Sequence, residues 1–140
     1  MQHLSRVGGD PIFIDESLYN ELSKTGIPQP GDLMVTGIGT IGTTYIVQPG
    51  DRFYYKDASV LCFENRSEFS SLFLQQIMRT GFMLKQIRDS SVGTTVATIT
   101  MKNAVTFLLP VPPLAEQRRI VPKVEEIMGL LKNQTWDNTN

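Results

Sequence analysis

The chain has one cysteine, one histidine and one tryptophan in 140 residues, and each scarcity removes a class of chemistry. Cys62 has no partner within the chain, so no internal disulfide forms, which fits a reducing cytoplasm. Inside the apolar run Val60-Leu61-Cys62-Phe63 it reads as a small buried strand residue. His3 lies among polar residues with no Cys, His or carboxylate cluster at metal-site spacing, so it reads as a solvated side chain and no metal is expected. No apolar run approaches the roughly 18 residues of a membrane span, and the N-terminus has no basic-then-apolar leader pattern. A Gly-x-Ser-x-Gly elbow and a Walker lysine are both missing. Asp10, Asp15 and Glu16 fit a turn and a helix cap better than an acid–base pair. Nothing marks an enzyme, and no cofactor is expected.

What is present suits one folded domain: 41% hydrophobic residues, 19% charged residues and a net charge of -1. The chain is organised around GDLMVTGIGTIGTTYIVQPGD, residues 31–51. Gly37, Gly39 and Gly42 satisfy G-x-G-x-x-G, the dinucleotide fingerprint. That motif works only if a helix starts at its third glycine and offers its N-terminus to a pyrophosphate. Thr43-Thr44-Tyr45-Ile46-Val47 follows instead, a poor helix start and a good strand. The stretch therefore predicts strand, glycine turn, strand.

Around it, residues 11–14 form a short apolar run with strand character, and Asp15 can cap a helix over 16–24 that ends at Gly26. Residues 53–55 and 58–63 read as further strands, the latter too continuously apolar to face water. Ser67 or Ser70 can cap a helix reaching about Thr80, with Phe69, Leu72, Phe73, Ile77 and Met78 at helical spacing and Gly81 as its stop. A short helix over 82–87, one helical turn over 100–104 and a last strand over 105–111 complete the domain. The fold class is α+β, a small mixed or antiparallel sheet with short helices.

A C-terminal α-helix of coiled-coil type follows. Pro113 suits its first turn, and Glu116 favours its N-terminal end. Leu114, Val121, Val124, Met128 and Leu131 fall on an a/d heptad, with Gln117 the one polar intruder and Ile120, Ile127 and Leu130 widening the stripe. Such a face requires a partner. Pro122 should kink the helix, and Gly129 costs about 1 kcal/mol against alanine.

The near-zero net charge conceals a local excess. Residues 72–110 carry Arg79, Lys85, Arg88 and Lys102 against Asp89 alone. This permits a polyanion partner, although a solvated surface explains the same residues. Asp89 to Thr95, DSSVGTT, is a loop of small polar residues: a plain turn, or a set of hydroxyls and N–H groups for an anion.

Three segments together resemble the DNA specificity subunit of type I restriction–modification systems. Gly31-Asp32-Leu33-Met34-Val35-Thr36 with Gly39-Thr40-Ile41-Gly42 is similar to the family's glycine–threonine hairpin. Residues 70–87 are similar to its helical pair. Leu109-Pro110-Val111-Pro112-Pro113-Leu114-Ala115-Glu116-Gln117-Arg118-Arg119-Ile120-Val121 resembles the passage from a recognition domain to a long helix.

The resemblance implies part of a target-recognition domain over 1–110, the start of a spacer and dimerisation helix over 111–132, and a tail over 133–140. It implies a non-catalytic cytoplasmic protein with no membrane contact. Its partners would be double-stranded DNA and the modification (methyltransferase) and restriction subunits, which carry the chemistry. Thr40, Thr43, Thr44, Arg79, Lys85, Arg88, Ser91, Thr94, Thr95 and Lys102 are the expected DNA contacts. Leu114, Val121, Val124, Ile127, Met128 and Leu131 are the expected helix-partner face. The alternative is a protein-interaction module that self-associates through its C-terminal helix without touching DNA.

Overall fold

The computed structural model describes residues 13–38, 41–54, 60–66, 69–91 and 98–136. Asp15 accepts a hydrogen bond from the Leu18 N–H and caps α1, Glu16–Leu22, which continues as a 3-10 turn over Ser23–Thr25. Gly26, with φ 107°, closes it as expected. The guanidinium of Arg52 lies 4.8 Å from the Tyr19 ring centroid and pairs with Glu16, holding α1 to the rest of the chain.

The glycine stretch is an antiparallel hairpin of β1, Leu33–Thr36, and β2, Thr44–Ile46. Strand β3, Val60–Phe63, pairs antiparallel with the other edge of β1, giving the order β2-β1-β3. The register aligns Ile46, Leu33 and Phe63 in one row and Thr44, Val35 and Leu61 in another. These rows share a face, because side chains alternate with period two. Against that face pack α2, Ser71–Met78, and α3, Gly81–Ser90, through Phe73, Leu74, Ile77, Met78, Met83 and Ile87.

Ser70 caps α2. Gly81 does not merely stop it: Thr80 accepts the Met83 N–H, and Gly81 opens α3, which runs to Ser90 rather than Ile87. The turn expected over 100–104 is α4, Met101–Ala104, capped by Thr100.

Among the described residues, three expected strands are not strands. Phe53 and Tyr54 lie outside any ladder, as do Phe13 and Ile14, and the remaining residues of those runs fall outside the described set. Residues 107–111 belong to no ladder, and Val105 and Thr106 form a turn. The alternation is real there, with Phe107 and Leu109 packed toward the core and Leu108 exposed. The pairing partner is a side chain. The Gln86 amide accepts from the Leu108 N–H at 2.8 Å and donates to the Leu108 carbonyl at 3.1 Å, as an adjacent strand would.

The last helix, α5, is continuous through Pro122 from Leu114 to Trp136. Its first turns lie on α2, where Gln117 is fully buried. Gln117 accepts from the Ser70 N–H at 2.8 Å and donates to the Pro112 carbonyl at 2.9 Å. The intruder in the heptad is the bolt that fixes the helix to the domain.

Candidate nucleic-acid interface

The glycine turn is built on a bulge. The Thr36 N–H donates to the Thr43 carbonyl, while the Thr36 carbonyl accepts from Gly42, so two residues of one strand face one of the other. Gly42 takes φ 82°, which only glycine adopts without strain. The bulge withdraws the Thr43 N–H from the ladder, and the Thr36 hydroxyl accepts it at 3.2 Å. A Cβ on Gly42 would sit 3.8 Å from the Met78 carbonyl, so the turn rests on the α2–α3 corner where Arg79 is exposed.

The second small-residue loop is closed in the same manner. The Ser91 hydroxyl accepts from the Thr98 N–H at 3.0 Å and reaches the carbonyls of Ile87 and Thr98 at 2.8 and 3.1 Å. Immediately beyond, the Ile99 N–H donates to the Gly37 carbonyl at 2.8 Å. This bond joins the exit of the second loop to the start of the first. Two segments far apart in the chain thus emerge side by side.

The cations are not equivalent. Arg79, Lys85, Arg88 and Lys102 are all exposed. Lys85 pairs with Asp89 one turn along α3, whereas Arg79, Arg88 and Lys102 make no ion pair among the described residues. The Asn103 amide donates to the Ser90 carbonyl at 3.1 Å, which ties α4, bearing Lys102, to the end of α3, bearing Arg88.

The hydroxyls divide as well. Thr43 is exposed in the turn. Thr44 corrects the expectation: the strand register turns it to the helix-covered face, where its Oγ1 is buried with no hydrogen-bond partner among the described residues. Ser91 is half-buried and spends its hydroxyl on the loop neck. Thr40, Thr94 and Thr95 lie outside the described residues.

On the expected helix-partner face, Val121 is the correction. It belongs to the chain's own core, and Leu114 and Val124 are half-buried. Ile127, Met128 and Leu131 are about half exposed, as is Leu130 beside them. An open groove runs between the end of α2 and this part of α5, lined by Gln76, Arg79, Val124, Glu125 and Met128.

The opposite end of β1 is closed by a buried carboxylate. Asp32 accepts from the Gln29 N–H at 2.7 Å and the Asn65 N–H at 2.9 Å, with the Cys62 sulfur at 3.8 Å. The Asn65 amide bonds the Ser71 hydroxyl, which donates to the Gly31 carbonyl at 2.7 Å. Burial, reinforced by Asp32, pushes the Cys62 thiol up to about 12, so it stays protonated and unreactive at neutral pH. Nearby, the Tyr45 hydroxyl donates to Asp51, which also accepts the Gln48 N–H. The pair holds the Asp51 carboxyl below, and the Tyr45 phenol above, their ordinary ranges.

Among the described residues no group of three or more His, Cys, Asp or Glu could hold a metal ion, and no helix is long and apolar enough to cross a membrane. Among the described residues, the scaffold offers the necks of two loops and three exposed cations without an ion pair, Arg79, Arg88 and Lys102.

Residues 5–135 match the family model for the type I restriction modification DNA specificity domain. The chain belongs to this family.

A Haemophilus influenzae protein provisionally assigned as a type I restriction enzyme specificity subunit is 26% identical over 124 residues, covering 88% of this chain and 31% of its own length. A solved chain from work on complex assembly and conformational transition of the type I restriction–modification system is 28% identical, with a TM-score of 0.62. It covers 77% of this chain and 28% of its own. This specificity-domain chain therefore spans about a third of each relative.

Sequence reasoning missed three residues of this specificity domain that matter to the loops and the helix. Thr36 read as one more strand residue, and Ile99 left no signal, since a backbone bond needs no particular side chain. Gln117 was visible only as an anomaly in an apolar stripe.

Proposed function

We propose that this chain is a non-catalytic DNA-reading module of a type I restriction–modification complex, contacting duplex DNA through its two small-residue loops. The observation that carries the reading is the Ile99–Gly37 bond. It joins residues 37 and 99, which flank the two small-residue stretches, in a chain of the specificity family that carries exposed cations. Arg79, Arg88 and Lys102 are the phosphate partners, and Lys85 joins them by exchanging Asp89 for a phosphate. Thr43, with Thr40, Thr94 and Thr95, offers hydroxyls to phosphates or base edges.

Residues 1–110 act as the recognition unit, 111–132 as the start of the spacer helix and 133–140 as its tail. The modification and restriction subunits supply methylation and cleavage, and the complex works on DNA in the cytoplasm. Fluorescence anisotropy with random-sequence duplex at low and moderate salt tests the reading. Binding that weakens steeply with salt is expected; no binding even at low salt overturns it.

A second role is supported by the exposed apolar residues Ile127, Met128 and Leu131, which favour pairing of α5 with another helix. Light scattering across a concentration series tests it, and a strict monomer at high concentration counts against it.

A further inference from the structure

The ion pair between Lys85 and Asp89 is poorly placed to stabilise α3. Its order along the helix, base before acid one turn apart, is the weaker of the two arrangements. Asp89 also lies in the last turn, where the helix dipole disfavours an anion. It is the only acid in residues 72–110, and cations gather about it. Lys85 pairs with it, Arg88 precedes it, and the Asn103–Ser90 bond brings the helix of Lys102 to the same end of α3. Ser90 and Ser91 both donate their hydroxyls to the Ile87 carbonyl, so Asp89 is the exposed polar side chain of this run. It stands two residues before the Ser91 neck.

When a phosphate takes Lys85, the Asp89 carboxylate loses its partner. A carboxylate can only accept hydrogen bonds, and the sugar–phosphate backbone of DNA has no donor to offer. The amino groups on base edges do. In the major groove guanine and thymine show only acceptors, adenine sets its amino group beside the N7 acceptor, and cytosine presents its N4 amino group alone.

We propose that Asp89 is a specificity-determining residue, accepting a hydrogen bond from a cytosine N4 amino group once Lys85 has moved to a phosphate. The proposal rests on the DNA-reading role above. Cytosine gives the freed carboxylate a donor, whereas any other base sets it against an acceptor. One side chain thus favours the right pair and penalises the wrong ones.

The unsubstituted chain selects duplexes from a random pool, and the enriched sequences give its base preference at each position. The selection is repeated with Asp89→Asn, Asp89→Ala, Lys85→Ala and Glu21→Gln, the last an exposed acid on α1. Affinity for the enriched duplex and its single-pair variants is then measured over a salt series, with melting temperature as the check on folding. The unsubstituted chain is expected to require one cytosine. Asp89→Ala should lose about tenfold or more in discrimination at that position alone, the scale of one misread base pair. Asp89→Asn should turn the position toward adenine, whose N6 and N7 suit an amide. Lys85→Ala should weaken every duplex and lower the salt slope by about one while keeping the cytosine. Glu21→Gln should change no base preference.

Tighter binding of every duplex by both Asp89 variants, with base preference unchanged, would overturn the proposal and make Asp89 a repelling charge only. Unchanged binding, enriched duplexes without a required cytosine, or unfolding of both Asp89 variants would overturn it too. Each of these leaves the DNA-reading role standing. An unsubstituted chain that binds no duplex even at low salt sinks the role and the proposal together.

Discussion

The two ends of β1 use the same means for opposite purposes. At its start, Asp32, Asn65 and Ser71 tie the entry to β1 to residues 65–71, which lie 33 to 40 positions further along the chain, and nearby Gln117 binds α5 to the Ser70 cap. At its finish, Thr36 and Ser91 close loops on themselves, and one backbone bond links the pair. Polar side chains at the first end make the domain a unit. At the second end they close the necks of two short loops. Stability should reside in the first end and recognition in the second.

Breaking the first end should cost most. Asp32→Ala leaves the N–H groups of Gln29 and Asn65 without their acceptor beside a buried site, and should destabilise by roughly 2–4 kcal/mol. Urea unfolding would measure this, and a loss below about 1 kcal/mol would erase the distinction between the ends. Gln117→Leu keeps the volume but strands the Ser70 N–H and the Pro112 carbonyl. It should cost about 1–3 kcal/mol and speed amide exchange at the start of α5.

Gly42→Ala moves to the second end. The added methyl has room, but the left-handed backbone penalises it by about 1–2 kcal/mol. Duplex discrimination should fall with it, and unchanged discrimination would argue that the turn does not read DNA. Lys102→Ala should leave stability within about 0.5 kcal/mol while lowering the salt slope of DNA binding by about one.

The smallest effect concerns Tyr45 and Asp51. Because the folded chain holds the Asp51 carboxyl below its ordinary range, that contribution is present above the range and fades as pH falls through the lowered value. The Tyr45 phenol is held above its ordinary value of 10, so its contribution is present below that pH and fades as pH rises past it. Melting curves should flatten between these limits, and Asp51→Asn should blunt both flanks.

Much of the scaffold was legible in the sequence. Asp15 and Ser70 are caps with a mechanism, and the helical spacing of Phe73, Ile77 and Met78 specified what they face. The hairpin followed from what comes after Gly42, which overrode a fingerprint of three glycines. The failures share a cause. Alternation over 105–111 reports which residues turn inward, and says nothing about whether the pairing partner is a strand or the Gln86 amide. The threonine pair 43–44 looked uniform, yet register exposes one and buries the other, a difference set by β1 rather than by either residue.

The Ile99–Gly37 bond has an evolutionary consequence. Its donor and acceptor are peptide groups, present whatever amino acids occupy either position, proline at 99 excepted. Mutations can therefore rewrite the loop sequences without dissolving the junction between them. A lineage could change the residues of either loop while inheriting the same frame, so long as the side chain at 99, fully buried in the core, stays apolar.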